Sequence, residues 1–204
     1  VLPIFKKTKN KQTVALIMNN MGLVHIRNNQ LKKGLEYLNQ ALPVFREKMN
    51  RNMEALVLSN LGLCYADSGQ PKKGLEYLNQ ALPMLKETRN RNMEAVVLSN
   101  IGQAYLVKSQ PEKALEYLNQ ALSKFKETWN ESDEAIALHC IGIVYMETDQ
   151  YEKALEHLNQ ALPIFKKTEN IYKMVRTLLF IGQTYALTDQ PEKAFEYFNQ
   201  VLPI

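Results

Sequence analysis

The sequence predicts an all-α fold built from repeated helix pairs, on three observations. The string Gly-Leu-Glu-Tyr-Leu-Asn-Gln-Ala-Leu-Pro at 34–43 recurs at 74–83, nearly intact at 114–123 and 154–163, and as Ala-Phe-Glu-Tyr-Phe-Asn-Gln-Val-Leu-Pro at 194–203, one copy every 40 residues. Within each copy the apolar residues fall at helical spacing. No run alternates apolar and polar residues strongly enough to compete as a strand. A fixed period of this size means that each unit buries its apolar face only against its neighbours. The units are 11–50, 51–90, 91–130, 131–170 and a truncated 171–204, with 1–10 as the end of a preceding second helix.

The second unit shows the elements in order. Leu58, Leu61, Gly62 and Tyr65 lie at i, i+3, i+4 and i+7, one stripe of an amphipathic helix from about Asn52 to Ser68, termed helix A. Gly69-Gln70-Pro71 supplies a residue tolerant of left-handed backbone and a proline suited to a first helical turn. Helix B follows, with the stripe Gly74, Leu75, Leu78, Ala81, Leu82 and Leu85, ending near Thr88-Arg89-Asn90.

Glycine recurs on helix A at 22, 62, 102, 142 and 182, and a small residue on helix B at 34, 74, 114, 154 and 194. A glycine inside a helix costs about 0.5–1 kcal/mol relative to alanine. Close approach of A to B offsets that cost, with Tyr65 and its equivalents, or His25 in the first unit, filling the space beside it. The prolines at 43, 83, 163 and 203 lie about three turns into helix B, where each removes a hydrogen bond and predicts a bend. Ser123 replaces proline in the third unit, whose helix B is expected to be straighter.

Composition narrows the function. With 46% hydrophobic and 23% charged residues, the 204-residue chain can bury a core, and its net charge of +4 is too small to single out nucleic acid or an anionic membrane. No stretch approaches the apolar length of a membrane span. Cys64 and Cys140 sit in no metal-ligand spacing and read as reduced core residues of a cytoplasmic protein.

The pattern Leu58, Leu61-Gly62, Tyr65 on helix A and Gly74, Leu78, Ala81 on helix B resembles the tetratricopeptide repeat, in all five units. The usual unit is shorter, about 34 residues, and the six extra lengthen each helix pair by roughly 9 Å in total. The usual proline closing helix B is missing. The 40-residue form, with Ser59-Asn60-Leu61-Gly62 and a polar join before the next helix A, is similar to repeats of LGN/Pins-type scaffolds and to bacterial, notably cyanobacterial, arrays. The resemblance implies a right-handed superhelical α-solenoid whose A helices line a concave groove that binds a peptide or helix of a partner.

Helix B is nearly copied from unit to unit whereas helix A varies, which places the differentiated surface on A. Its second stripe comprises Leu16, Asn19 and Leu23; Leu56, Ser59 and Leu63; Val96, Ser99 and Gln103; Ile136, His139 and Ile143; and Arg176, Leu179 and Gln183. Most of these are apolar, which fits either a ligand surface or contact between successive A helices. The positions matching the family's carboxylate clamp carry no Lys or Arg, which speaks against that function. Asn20, Asn60 and Asn100 recur once per unit and fit either hydrogen bonding to a peptide backbone or bonding to a neighbouring helix, with Cys140 and Phe180 breaking the series.

Other chemistry is weakly signalled. His25, His139 and His157 form no ligand face, and no phosphate loop or nucleophile elbow is present, so no metal, cofactor or catalysis is expected. The joins run from basic (Lys6, Lys7, Lys9, Lys11; Arg46, Lys48, Arg51; Lys86, Arg89, Arg91) to acidic (Glu131, Asp133, Glu134), an edge that suits solvent better than RNA. The expected function is a protein-binding scaffold. The alternative is a structural, sensory or self-assembling module of a larger signalling protein, associating end to end through apolar residues such as Leu2, Phe5, Phe195, Phe198 and Val201.

Overall fold

Every described helix starts and stops on local chemistry that returns at fixed spacing. The computed structural model describes residues 10–28 and 30–202. The expected tail of a preceding helix, with Leu2, Phe5 and the lysines at 6, 7 and 9, lies outside these residues, as does Pro203. Among the described residues there are ten α-helices and no strand. The chain divides into two compact units, 1–108 and 109–204. The first holds α1 (Lys11–Arg27), α2 (Leu31–Glu47), α3 (Arg51–Asp67), α4 (Pro71–Glu87) and α5 (Arg91–Val107); the second holds α6 (Pro111–Thr128), α7 (Glu131–Glu147), α8 (Tyr151–Lys167), α9 (Ile171–Leu187) and α10 (Pro191–Asn199). Odd-numbered helices are the A helices and even-numbered ones the B helices.

Each A helix is capped by an asparagine. The side-chain oxygens of Asn10, Asn50, Asn90, Asn130 and Asn170 accept from backbone N–H groups of the first turn, satisfying donors that a helix start leaves open. The B helices have glutamine at that place and no side-chain cap; α4, α6 and α10 instead begin with proline. Among the described residues, the turns from α2 onwards are left-handed. Positive φ occurs at Met49, Gly69, Arg89, Ser109, Trp129, Asp149, Glu169 and Asp189, only one of which is glycine. The N–H of the next residue closes each of these turns where recorded, as in Asn50 to the Phe45 carbonyl at 3.0 Å and Gln70 to the Tyr65 carbonyl at 2.8 Å.

The glycines sit where the helices touch. A Cβ on Gly62 would lie 2.5 Å from Leu78 Cγ and 2.9 Å from the Gly74 carbonyl oxygen; one on Gly74 would lie 2.5 Å from the Gly62 carbonyl oxygen. One turn on, Tyr65 stacks on Tyr77 with centroids 5.5 Å apart, and His25 stacks on Tyr37 at 5.3 Å. Pro43, Pro83 and Pro163 lie inside α2, α4 and α8 without ending them, on the exposed face of each helix.

In the first unit the core runs through Phe45, Leu58, Leu61, Leu78 and Leu85, all buried. In the second, Leu138 and Phe165 pack with Ala135 and Ala161, and Leu158 and Leu162 pack with Leu178 and Ile181 of the following A helix.

Candidate functional site

Once the core stripe of an A helix is buried, its remaining face divides into a side that meets the neighbouring A helix and a side left open. In the first unit Asn19, Ser59, Ser99 and Asn100 are buried, whereas Leu16 and Asn20 are exposed and Leu23, Leu56, Asn60, Leu63 and Gln103 are half-buried. Asn19, Ser59 and Asn100 take part in rungs between helices, whereas the Ser99 hydroxyl is buried without a hydrogen-bond partner among the described residues. Asn60 Nδ2 donates to Asn19 Oδ1 at 2.8 Å, Asn19 Nδ2 to Asn20 Oδ1 at 3.2 Å, and Asn100 Nδ2 to Ser59 Oγ at 3.0 Å. Gln103 Nε2 reaches Asn100 Oδ1 at 3.5 Å. The recurring asparagines therefore join α1 to α3 and α3 to α5, the neighbouring-helix alternative, because an amide in this interior needs partners.

In the second unit the corresponding rung is His139 with Thr177. The Thr177 hydroxyl donates its one proton to the Lys173 carbonyl at 2.7 Å, so at 2.9 Å it accepts from His139 Nδ1–H. This puts a proton on Nδ1, and Nε2 is buried without a hydrogen-bond partner among the described residues. Burial, then the charges of Lys173 and Arg176, lower the His139 pKa to about 3. His139 and Ile143 are buried. Ile136 and Arg176 remain half-buried, and Leu179 and Gln183 are exposed. Beside them Tyr172, absent from the expected set, is also exposed; it stands out only as an aromatic where the other units carry Gln12, Asn52, Asn92 and Ser132.

The joins hold charge networks that helix periodicity does not show. Glu54 is buried and accepts from Arg46 Nε at 2.9 Å, with Arg51 at 3.7 Å. Lys11 faces Glu47 at 3.8 Å, and Lys167 pairs with Glu131. Lys11, Arg46 and Arg51 of the expected basic edge therefore already face carboxylates. Burial, then Asp67, pushes the Cys64 thiol up to about 11, away from thiolate chemistry. Among the described residues no group of three or more His, Cys, Asp or Glu converges as for a metal ion, and no helix is long and apolar enough to cross a membrane.

Comparison with known proteins follows the same lines. The chain is similar to a Rap protein complexed with competence and sporulation factor, with TM-score 0.87 and 16% identity over 99% of this chain and 57% of that one. It is similar to NprR in complex with its cognate peptide NprX, with TM-score 0.79 and 20% identity over 98% and 57%. BtubC from P. vanneervenii gives TM-score 0.77 and 17% identity over 94% and 79%. The chain thus spans little more than half of the first two. No curated protein sequence matches it. At these identities the structures speak to the fold alone. A family model described as tetratricopeptide repeat, however, matches residues 13–87, 53–127 and 133–204. With that match over most of its length, and with paired helices closing on small residues at Gly22, Gly62 and Gly142, the chain belongs to the tetratricopeptide repeat family.

Proposed function

We propose that the chain is a non-catalytic scaffold whose A helices hold a peptide or helical segment of a protein partner in a concave groove. The carrying observation is that Leu16, Leu56, Leu63 and Ile136 keep apolar surface open after the rungs between A helices have formed. Within each compact unit, apolar side chains left open on the A helices make a partner surface. Two similar structures, of a Rap protein and of NprR, hold peptide or factor ligands, which supports the same use here. The 40-residue period keeps the LGN/Pins-type and bacterial-array likeness within this reading, in a cytoplasmic setting.

The test is direct. Leu56→Asp with Leu63→Asp places two carboxylates on the open side of α3 without touching a buried rung. Affinity for a peptide selected from a random display library is expected to fall at least about tenfold, as for loss of an interface anchor, while the far-UV spectrum stays helical. Unchanged affinity removes the first-unit surface from the site.

A further inference from the structure

The weak net charge of +4 hides two halves of opposite sign. Residues 1–108 hold 16 Lys and Arg against 7 Asp and Glu, whereas residues 109–204 hold 9 against 14. The difference is sharpest where the B helices begin. Their second residue is Lys32 and Lys72 in the first unit but Glu112, Glu152 and Glu192 in the second, although the rest of each helix is nearly copied. In the turns just before, the second unit adds Asp149 and Asp189 where the first has Gly69. All of these charged residues are exposed. Lys72, Glu112 and Glu152 have a repeat before and after them and still face solvent.

The residue that follows does not switch. Lys33, Lys73, Lys113, Lys153 and Lys193 are constant, and folding accounts for them: Nζ of Lys73, Lys153 and Lys193 lies 4.1, 5.3 and 5.2 Å from the ring centroids of Tyr65, Tyr145 and Tyr185. Folding also accounts for the glutamates, because the first turn of a helix favours negative charge. It does not account for Lys32 and Lys72. Each puts a cation at the positive end of its helix, beside a second lysine, and neither α2 nor α4 has an acidic residue in its first turn. Among the described residues, Lys32, Lys72, Glu112, Glu152 and Glu192 make no ion pair.

We propose that Lys32 and Lys72 of one copy meet the Glu112, Glu152 and Glu192 row of a second copy of this chain. Charge complementarity selects this occupant. The two rows hold the same helical position and return every 40 residues, so they match in spacing as well as in sign. A nucleic acid would meet the lysines and leave the glutamates unused. Single exposed pairs contribute little, so association needs several pairs at once and weakens as salt screens them. The contact uses the starts of the B helices and stands whether or not the A helices hold a partner.

Light scattering of the full chain across a concentration series reads the outcome. In about 20 mM salt the mass is expected to climb with concentration to at least twice that of the monomer, and in about 0.5 M salt to fall back to it. Lys32→Glu with Lys72→Glu removes the basic row; Glu112→Lys, Glu152→Lys and Glu192→Lys together remove the acidic one. Each variant alone is expected to stay monomeric at low salt. Mixed in equal amounts they associate again, because the intact lysine row of the second variant meets the intact glutamate row of the first. The lysine-to-glutamate variant is expected to melt no lower than the native chain, since it improves two helix starts, so its loss of association is not loss of fold. A native chain that stays monomeric at low salt overturns the proposal, and so does one that stays monomeric yet binds duplex DNA through Lys32 and Lys72. Association that persists in either variant, or that fails to return on mixing, overturns it as well.

Discussion

His139 carries the largest electrostatic consequence of any single side chain in the second unit. Its folded pKa, about 3, is depressed below the ordinary histidine value of 6.5, so the unfolded chain takes up a proton that the folded chain refuses. The sign follows: this contribution to stability is complete above pH 6.5 and is lost as pH falls from there towards 3. The slope approaches about 1.4 kcal/mol per pH unit inside that window. Urea melts at pH 7, 6 and 5 are expected to show the decline in the native chain and a shallower one in His139→Leu. The sequence placed His139 on a stripe that fits either a ligand or the next A helix, and the structure packs it against Thr177 of that helix. A helical wheel gives directions from one axis, whereas burial of position 139 depends on where the next A helix lies. The same gap hid the role of Ser59 and Asn19, whose rungs are set by a neighbour 41 residues away in the chain.

At the scale of the helix, the ends are more regular than the sequence reading drew out. Asn10, Asn50, Asn90, Asn130 and Asn170 stand before each A helix at constant spacing, and their capping role was there to be read in the repeat itself. The left-handed turns were legible only at Gly69, because the others are built from residues that do not advertise positive φ. Arg89 adopts φ 55° with an exposed side chain. Arg89→Gly is therefore expected to stabilise by about 0.5–1 kcal/mol, since glycine enters this region without steric cost. A rise in melting temperature checks it, and a fall would mean that the side chain makes a contact worth more than the backbone relief. Helix boundaries, by contrast, came out within a residue or so of the periodic stripes, because three-residue turns leave little room for error.

At the scale of the whole molecule, cohesion comes from neighbours. The small residue on helix A and the small residue on helix B let two backbones meet at Gly22, Gly62 and Gly142, whereas Gly182 faces the Phe198 ring. Gly62→Val would drive side-chain atoms into Leu78 and the Gly74 carbonyl, with an expected loss of about 1–3 kcal/mol. In a repeat array such damage spreads only to adjacent units. Amide hydrogen exchange is expected to accelerate in α3 and α4 and their neighbours while α8 to α10 keep native protection. Uniform acceleration would instead mark the chain as one cooperative block. The period and the small residues made this architecture readable from sequence; the open surface was not, because it is what remains after rungs, caps and ion pairs have each taken their residues.

The left-handed turn residue returns every 20 positions, after A and B helices alike, while the side-chain pattern returns every 40. Losing or gaining a single helix with its turn would leave the backbone path intact yet present the wrong face at every later contact. Only the addition or removal of a full pair preserves both. The array can therefore grow or shrink in evolution, or by design, in steps of two helices, and a graft made at any left-handed turn must respect that parity.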